Sequence, residues 1–152
     1  MNAPAPPRRS NRLAKLVFQP GGVSMDEAVR AADANLEAIR DGLVAEVVVK
    51  LERIQGLGNA LRAGPDWCAL AEIYALADTA IGMAGTSGLR SLSQACHSLC
   101  ELIDRMQASK DWRGPALQVH LDALRLLRPG TKESEAQQQA IVAALRQLMR
   151  RA

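Results

Sequence analysis

The 152-residue sequence contains very few aromatic residues: two Trp, one Tyr and one Phe, or 3% of the chain. Hydrophobic residues nevertheless make up 48% of it, so a core has to be built from Leu, Ile, Val and Ala. This composition favours packed helices over sheets, because sheets prefer β-branched and aromatic side chains. A chain of this length is one domain of ordinary size, able to bury a proper core.

Cysteine is also scarce, since the chain has only Cys68, Cys96 and Cys100 at uneven spacing. Three such residues exclude a disulfide framework. No apolar run approaches the roughly 20 residues of a membrane span, and the apolar residues 13–18 are interrupted by Lys15, which argues against a signal peptide. We therefore predict a soluble, cytoplasmic protein without a membrane span.

Acidic residues are missing from residues 1–23, which carry Arg8, Arg9, Arg12 and Lys15. The rest of the chain holds 15 basic and 16 acidic residues and is nearly neutral. Nucleic-acid binding needs a concentrated basic face, so we predict no nucleic-acid partner. The composition of residues 1–23, basic and rich in proline, predicts a disordered tail that ends near the Pro20-Gly21-Gly22 break, and residues 24–151 form the helical domain.

Capping signals and apolar periodicity predict the helices of residues 24–151. Ser24 and Glu27 form a capping-box pattern, which predicts a short helix over 25–33 leading into a long one that ends near Arg62. Asp66 opens a third helix that ends at Gly85, and Pro115 lies in the first turn of a later one. The intervening helix has an apolar stripe with regular three- and four-residue steps: Leu89, Leu92, Cys96, Leu99, Ile103 and Met106.

The last helix is predicted to be capped by Thr131 and to turn Ile141, Leu145 and Leu148 inward. Short connections make sequential helices antiparallel neighbours. We therefore predict an all-α fold: an antiparallel up-down four-helix bundle with an extra N-terminal helix.

Residues 78–92 are the unusual part of this pattern, because Gly82 and Gly85 lie inside an apolar, alanine-rich helix. Each glycine costs about 1 kcal/mol relative to alanine in a helix interior. Asp78, Ile81, Gly82 and Gly85 share one stripe of the helix, which we interpret as a small docking surface. Tyr74 and Thr79 belong to the same candidate partner-binding surface. Close packing inside the protein is the alternative explanation of the glycines.

Residues 78–92 resemble the signature of the histidine phosphotransfer (Hpt) family, small helical bundles that relay phosphoryl groups between receiver domains. The family has a His, then a Lys three residues on, then Gly, small residues, and a further Gly followed by Leu. The matching positions here are Gly82, Ala84, Gly85, Gly88, Leu89 and Leu92. The predicted helix layout resembles the family over roughly residues 25–151. More loosely, residues 20–24 and 35–40 are similar to small proteins encoded in bacterial chemotaxis clusters.

Two departures from the family pattern decide what the resemblance implies. Asp78 stands where the family has its phospho-accepting His, and Ile81 replaces the Lys. A carboxylate repels an incoming phosphoryl group, and isoleucine supplies no compensating charge. The resemblance therefore implies a non-enzymatic protein without cofactor that binds a receiver domain, or a histidine kinase, and modulates two-component signalling without passing phosphate.

Two other functions remain open at the level of the sequence. An active phosphotransfer protein would use His97 or His120, the only histidines. Three and four residues after His97, where the family has Lys and Gly, this chain has Cys100 and Glu101. This difference favours a half-exposed boundary histidine. A structural bundle that oligomerises through its helices is the other alternative. Cys96 and Cys100 share a helix face, but no further ligand pair accompanies them, so we predict no metal site.

Overall fold

The computed structural model describes residues 23–151, except the side chain of Arg151. The predicted tail of residues 1–23, with the break at Pro20-Gly21-Gly22, lies outside the described residues apart from Val23. The described part is all-helical and has no strand. Its five α-helices are α1 (Met25–Ala60), α2 (Trp67–Thr86), α3 (Arg90–Ser109), α4 (Gly114–Leu126) and α5 (Glu135–Arg151).

The chain divides into two compact units after Glu37. The described part of the first unit, residues 23–37, consists of two residues before α1 and the beginning of the helix, where Met25, Val29 and Leu36 are exposed. The second unit, which begins at Ala38, contains the rest of the helices and the hydrophobic core.

Helix α1 begins as predicted, because the backbone N–H of Glu27 donates to Ser24 Oγ at 3.2 Å. It then continues without interruption for 36 residues, so the prediction of a separate short helix over 25–33 is wrong. The first glycine after the cap is Gly42 and no proline follows before Pro65, so nothing in the sequence breaks the helix there. A short 3-10 turn, Leu61–Ala63, ends it close to the predicted position.

Helix α2 begins after Asp66, whose carboxylate accepts hydrogen bonds from the N–H groups of Cys68 at 2.9 Å and Ala69 at 3.1 Å. Its inward face is fully buried, as the periodicity predicts. The residues on that face are Leu70, Ile73, Ala77, Ala80 and Ala84. The small alanines let neighbouring helices come close to α2.

Helix α2 is also apolar enough to cross a membrane by length and composition alone, which the sequence reasoning did not anticipate. It has 20 residues and a mean hydropathy of 1.2 in its most apolar window. The core helix of a water-soluble protein passes the same test, and α2 contributes five fully buried side chains to the core. This property is therefore weak evidence of a membrane span.

A tight turn joins α2 to α3. Gly88 adopts a φ of 83°, which is a left-handed conformation that glycine accepts at no steric cost. The N–H of Leu89 donates to the carbonyl of Ala84 at 2.8 Å and closes the end of α2. Helix α3 is central to the second unit because it contacts α2, α4 and α5. Its predicted apolar stripe is buried from Leu92 to Met106.

The last helix, α5, begins later than predicted. Ser134 Oγ accepts from the N–H of Gln137 at 3.3 Å, and the N–H of Ser134 donates to Gln137 Oε1 at 2.8 Å. This reciprocal pair is a capping box, so Ser134 caps the helix and the prediction of Thr131 is wrong. The buried stripe is Val142, Leu145 and Met149, whereas Ile141 and Leu148 are only half-buried.

Candidate functional site

The predicted docking stripe lies on the outer face of α2. Asp78, Thr79, Gly82 and Gly85 are exposed, opposite the buried Ala77, Ala80 and Ala84. Tyr74 and Ile81 are half-buried and pack against the core. The stripe therefore combines a carboxylate, a hydroxyl and bare backbone at the surface, with two apolar side chains at its edge. We use "docking stripe" for these six residues.

Both glycines of the docking stripe have room for a Cβ atom, and above Gly82 the space is open. A Cβ atom built on Gly82 meets no other atom within 4 Å, and one built on Gly85 meets only Ser93 Oγ, at 3.6 Å. Neither position is crowded by a neighbouring helix. Internal packing, the alternative explanation that the sequence left open, does not require either glycine.

A different glycine does serve close packing inside the protein. A Cβ atom on Gly58 of α1 would collide with the Cδ1 methyl group of Leu121 on α4. The sequence reasoning did not single out Gly58, and its only signal was a position on the same helix face as the buried Leu51 and Ile54. Gly58 is therefore a glycine at a close approach between two helices, unlike Gly82.

Three hydroxyl groups donate hydrogen bonds to backbone carbonyls of α2 in or beside the docking stripe. Ser93 Oγ of α3 donates to the carbonyl of Ile81 at 2.9 Å and ties the two helices together at the middle of the stripe. Thr86 Oγ1 donates to the carbonyl of Gly82, and Thr79 Oγ1 to that of Ala75, each at 2.9 Å. The two threonine hydroxyls thus each find an acceptor one turn earlier in the same helix.

The surroundings of Asp78 are acidic. Asp104 of α3 raises the pKa of the Tyr74 hydroxyl, with smaller contributions from burial, Cys100 and Asp78. Burial, followed by the charges of Asp78 and Asp104, raises the pKa of the Cys100 thiol to about 11. No ion pair among residues 23–151 involves either carboxylate. A phosphoryl group arriving beside Asp78 would therefore meet like charge, which is unfavourable.

The two histidines have opposite environments. His97 is exposed on α3, whereas His120 on α4 is completely buried. His120 Nδ1 lies 2.9 Å from the carbonyl of Ala116, which can only accept, so Nδ1 carries the proton. Nε2 of the neutral ring then accepts from Ser98 Oγ at 2.9 Å. Burial lowers the pKa of His120, so the ring is a neutral structural group with no path to a phosphoryl donor.

The cysteines of α3 are packed as small apolar side chains. Cys96 is fully buried, and burial raises the pKa of its thiol to about 12. Cys100 is also buried, and its Sγ lies 3.9 Å from the carbonyl of Tyr74. Metal ligation needs thiolates. No cluster of three His, Cys, Asp or Glu side chains suited to a metal ion occurs within the described residues.

A groove of about 450 Å³ between α3 and α5 was missed by the sequence reasoning. Ile81 lies at its edge, His97 lies on its α3 wall, and Arg146 and Arg150 line its α5 wall. Arg150 lies in the last turn of α5, where a positive charge suits the negative end of the helix dipole. Only the packing of α5 against α3 brings Arg146 and Arg150 opposite His97.

Comparison with known proteins identifies no relative, since no family model, curated protein or solved structure matches the chain. The geometry of the surface is therefore the basis of any functional conclusion.

Proposed function

We propose that this chain is a non-enzymatic, cytoplasmic protein of Hpt type that binds the receiver domain of a response regulator through the docking stripe and so modulates two-component or chemotaxis signalling. A histidine kinase is the alternative partner. The observation that carries the proposal is the open space above Gly82, on an exposed helix face that includes Asp78. A partner's backbone can approach α2 more closely there than at any position with a side chain.

The proposal includes the bundle itself. We infer that the helices pack as the antiparallel up-down four-helix bundle of the Hpt family, with an extra N-terminal helix. Two features support this arrangement: sequential helices are joined by short connections, and α3 contacts α2, α4 and α5. Short connections favour antiparallel neighbours.

The carboxylates near the docking stripe support the part of the proposal that excludes phosphotransfer. Asp78 stands at the position that the resemblance assigns to the phospho-accepting histidine, and Asp104 adds a second carboxylate nearby. A carboxylate lacks the imidazole nitrogen of phosphohistidine chemistry. The protein would therefore sequester its partner or shield it from its kinase. It would neither remove a phosphoryl group from the partner nor donate one to it.

The test is a binding titration with a panel of purified receiver domains from the same organism. Gly82→Arg fills the clearance on α2, so we expect affinity to fall by about tenfold or more, equivalent to roughly 1.4 kcal/mol. Gly56→Arg is the matched control, because Gly56 is also an exposed helical glycine with open space above it. Equal binding by wild type and Gly82→Arg would contradict the proposal.

One observation favours a second candidate, an active phosphotransfer protein that uses His97. Its ring is exposed and lies in a groove with arginines, which could balance a phosphoryl charge. Incubation with a phosphorylated kinase or receiver, followed by an assay for acid-labile label, separates the two functions. Label that is lost in His97→Ala would establish phosphotransfer, and we expect no label in either protein.

A further inference from the structure

The groove between α3 and α5 has an excess of positive charge on its walls. Arg105, Arg146 and Arg150 line it, against a single carboxylate, Glu101. Arg105 Nη2 donates to Glu101 Oε1 at 2.6 Å, so these two charges compensate each other. His97 adds an exposed imidazole on the α3 side.

The two arginines of α5 have no acidic partner among the ion pairs of residues 23–151. Arg146 Nη2 donates to the neutral Gln94 Oε1 at 3.2 Å across the groove. Arg146 and Arg150 are four residues apart on one helix face, an arrangement of like charges that is unfavourable in a helix. An anion between them would remove that repulsion.

Arg105 also reduces the negative charge at the C-terminal end of α5, which favours an anion there. Its Nη1 donates to the carbonyl of Met149 at 2.6 Å. The last carbonyls of a helix carry partial negative charge and would repel an anion. Because Arg105 occupies one of them, the repulsion at this end of the groove is reduced.

The exposed surface of the groove is mainly apolar, although Ser93, Gln94 and Ser98 also line it. Ile81 and Met149 supply apolar surface. Ser98 at the α3 wall is held by its hydrogen bond to the buried His120. A ligand of this groove therefore needs an apolar body of modest size as well as an anionic group.

We propose that this groove binds a small phosphomonoester, with the phosphate between Arg146 and Arg150 and an apolar body against Ile81 and Met149. Two uncompensated guanidinium groups match the charge of close to two on a phosphate ester near neutral pH. Their N–H donors suit the three terminal oxygens of phosphate. The groove adjoins the docking stripe proposed above for partner binding and shares Ile81 with it.

The experiment is an amide-shift NMR titration of the full chain with phenyl phosphate. We expect saturable shifts at residues of the groove, weaker binding of inorganic phosphate, which lacks the apolar body, and weaker binding of benzoate, which has one negative charge. In Arg146→Gln/Arg150→Gln the affinity should fall by about tenfold or more, since charge-assisted hydrogen bonds are lost.

The matched control is Arg90→Gln/Arg125→Gln, which changes the net charge equally at exposed positions outside the groove. It should bind phenyl phosphate like wild type. Circular dichroism checks that both double variants stay folded, and Arg146→Lys/Arg150→Lys, which keeps the charge, should retain part of the affinity. No saturable shift with wild type at millimolar phenyl phosphate, equal loss in the control, or tighter binding of benzoate would overturn the proposal.

Discussion

Replacing Gly82 by alanine should stabilise the protein. The added Cβ meets no atom within 4 Å, so it neither creates nor loses packing, and the whole effect is the helix preference of alanine over glycine. That preference is about 0.8–1.0 kcal/mol. For a domain of this size it corresponds to a rise in melting temperature of about 2–4 °C. Urea denaturation followed by circular dichroism at 222 nm measures the free energy of unfolding directly.

Alanine substitutions at two further glycines serve as controls for this measurement. Gly56→Ala in α1 should stabilise by a similar amount, because that position is also exposed and uncrowded. Gly88→Ala should destabilise by about 1–2 kcal/mol, because the φ of 83° is unfavourable for any residue with a Cβ. Destabilisation by Gly82→Ala would refute the reasoning, since it would mean that the glycine is required inside the protein. If instead Gly82→Ala gains stability and loses partner affinity, the glycine has been retained for binding.

Two smaller predictions concern buried groups. Because burial lowers the pKa of His120 below its ordinary 6.5, the unfolded chain binds more protons, and stability should fall as the pH drops below 6.5. His120→Gln should reduce that slope in urea denaturation between pH 7.5 and 5.0, and an unchanged slope would contradict the assignment. Native protein should expose one thiol to a disulfide reagent at pH 8, that of Cys68, because Cys96 and Cys100 are buried with pKa values of about 12 and 11. Cys68→Ser should react only after denaturation, and rapid labelling of that variant in the native state would show that the core opens.

The helical fold was predictable where local patterns decide it. The α3 stripe of Leu92, Cys96, Leu99 and Ile103 is buried as its three- and four-residue spacing predicts. Asp66 is the cap of α2 because its side chain binds the first free N–H groups, a strictly local interaction.

The cap of α5 was predicted wrongly because two local signals compete there. Thr131 and Ser134 are both capping residues close to the start of α5, and only Ser134 has a glutamine three residues later to complete a capping box. Thr131 instead donates to the carbonyl of Arg128 at 2.9 Å. At α1 the sequence indicates the capping box at Ser24 correctly. The short helix over 25–33 was wrongly predicted to end there, because no glycine or proline interrupts the helix at that point.

The surface features depended on tertiary structure to different degrees. The exposure of Asp78 and Gly82 follows from the buried alanines on the other side of α2, so the sequence could place the docking stripe. The groove beside it needs α5 to lie against α3, since Arg146 and Gln94 are far apart in the chain. No spacing rule within one helix reveals such a pair.

The most direct test of the central claim is to map where a receiver domain contacts the protein. An amide-shift titration of isotope-labelled protein with an unlabelled receiver that binds it gives that map. The account predicts shifts concentrated at Asp78, Thr79, Gly82 and Gly85, with no acid-labile phosphate on the protein afterwards. Shifts confined to α1 or α5, or no saturable shift with any receiver of the organism, would contradict it.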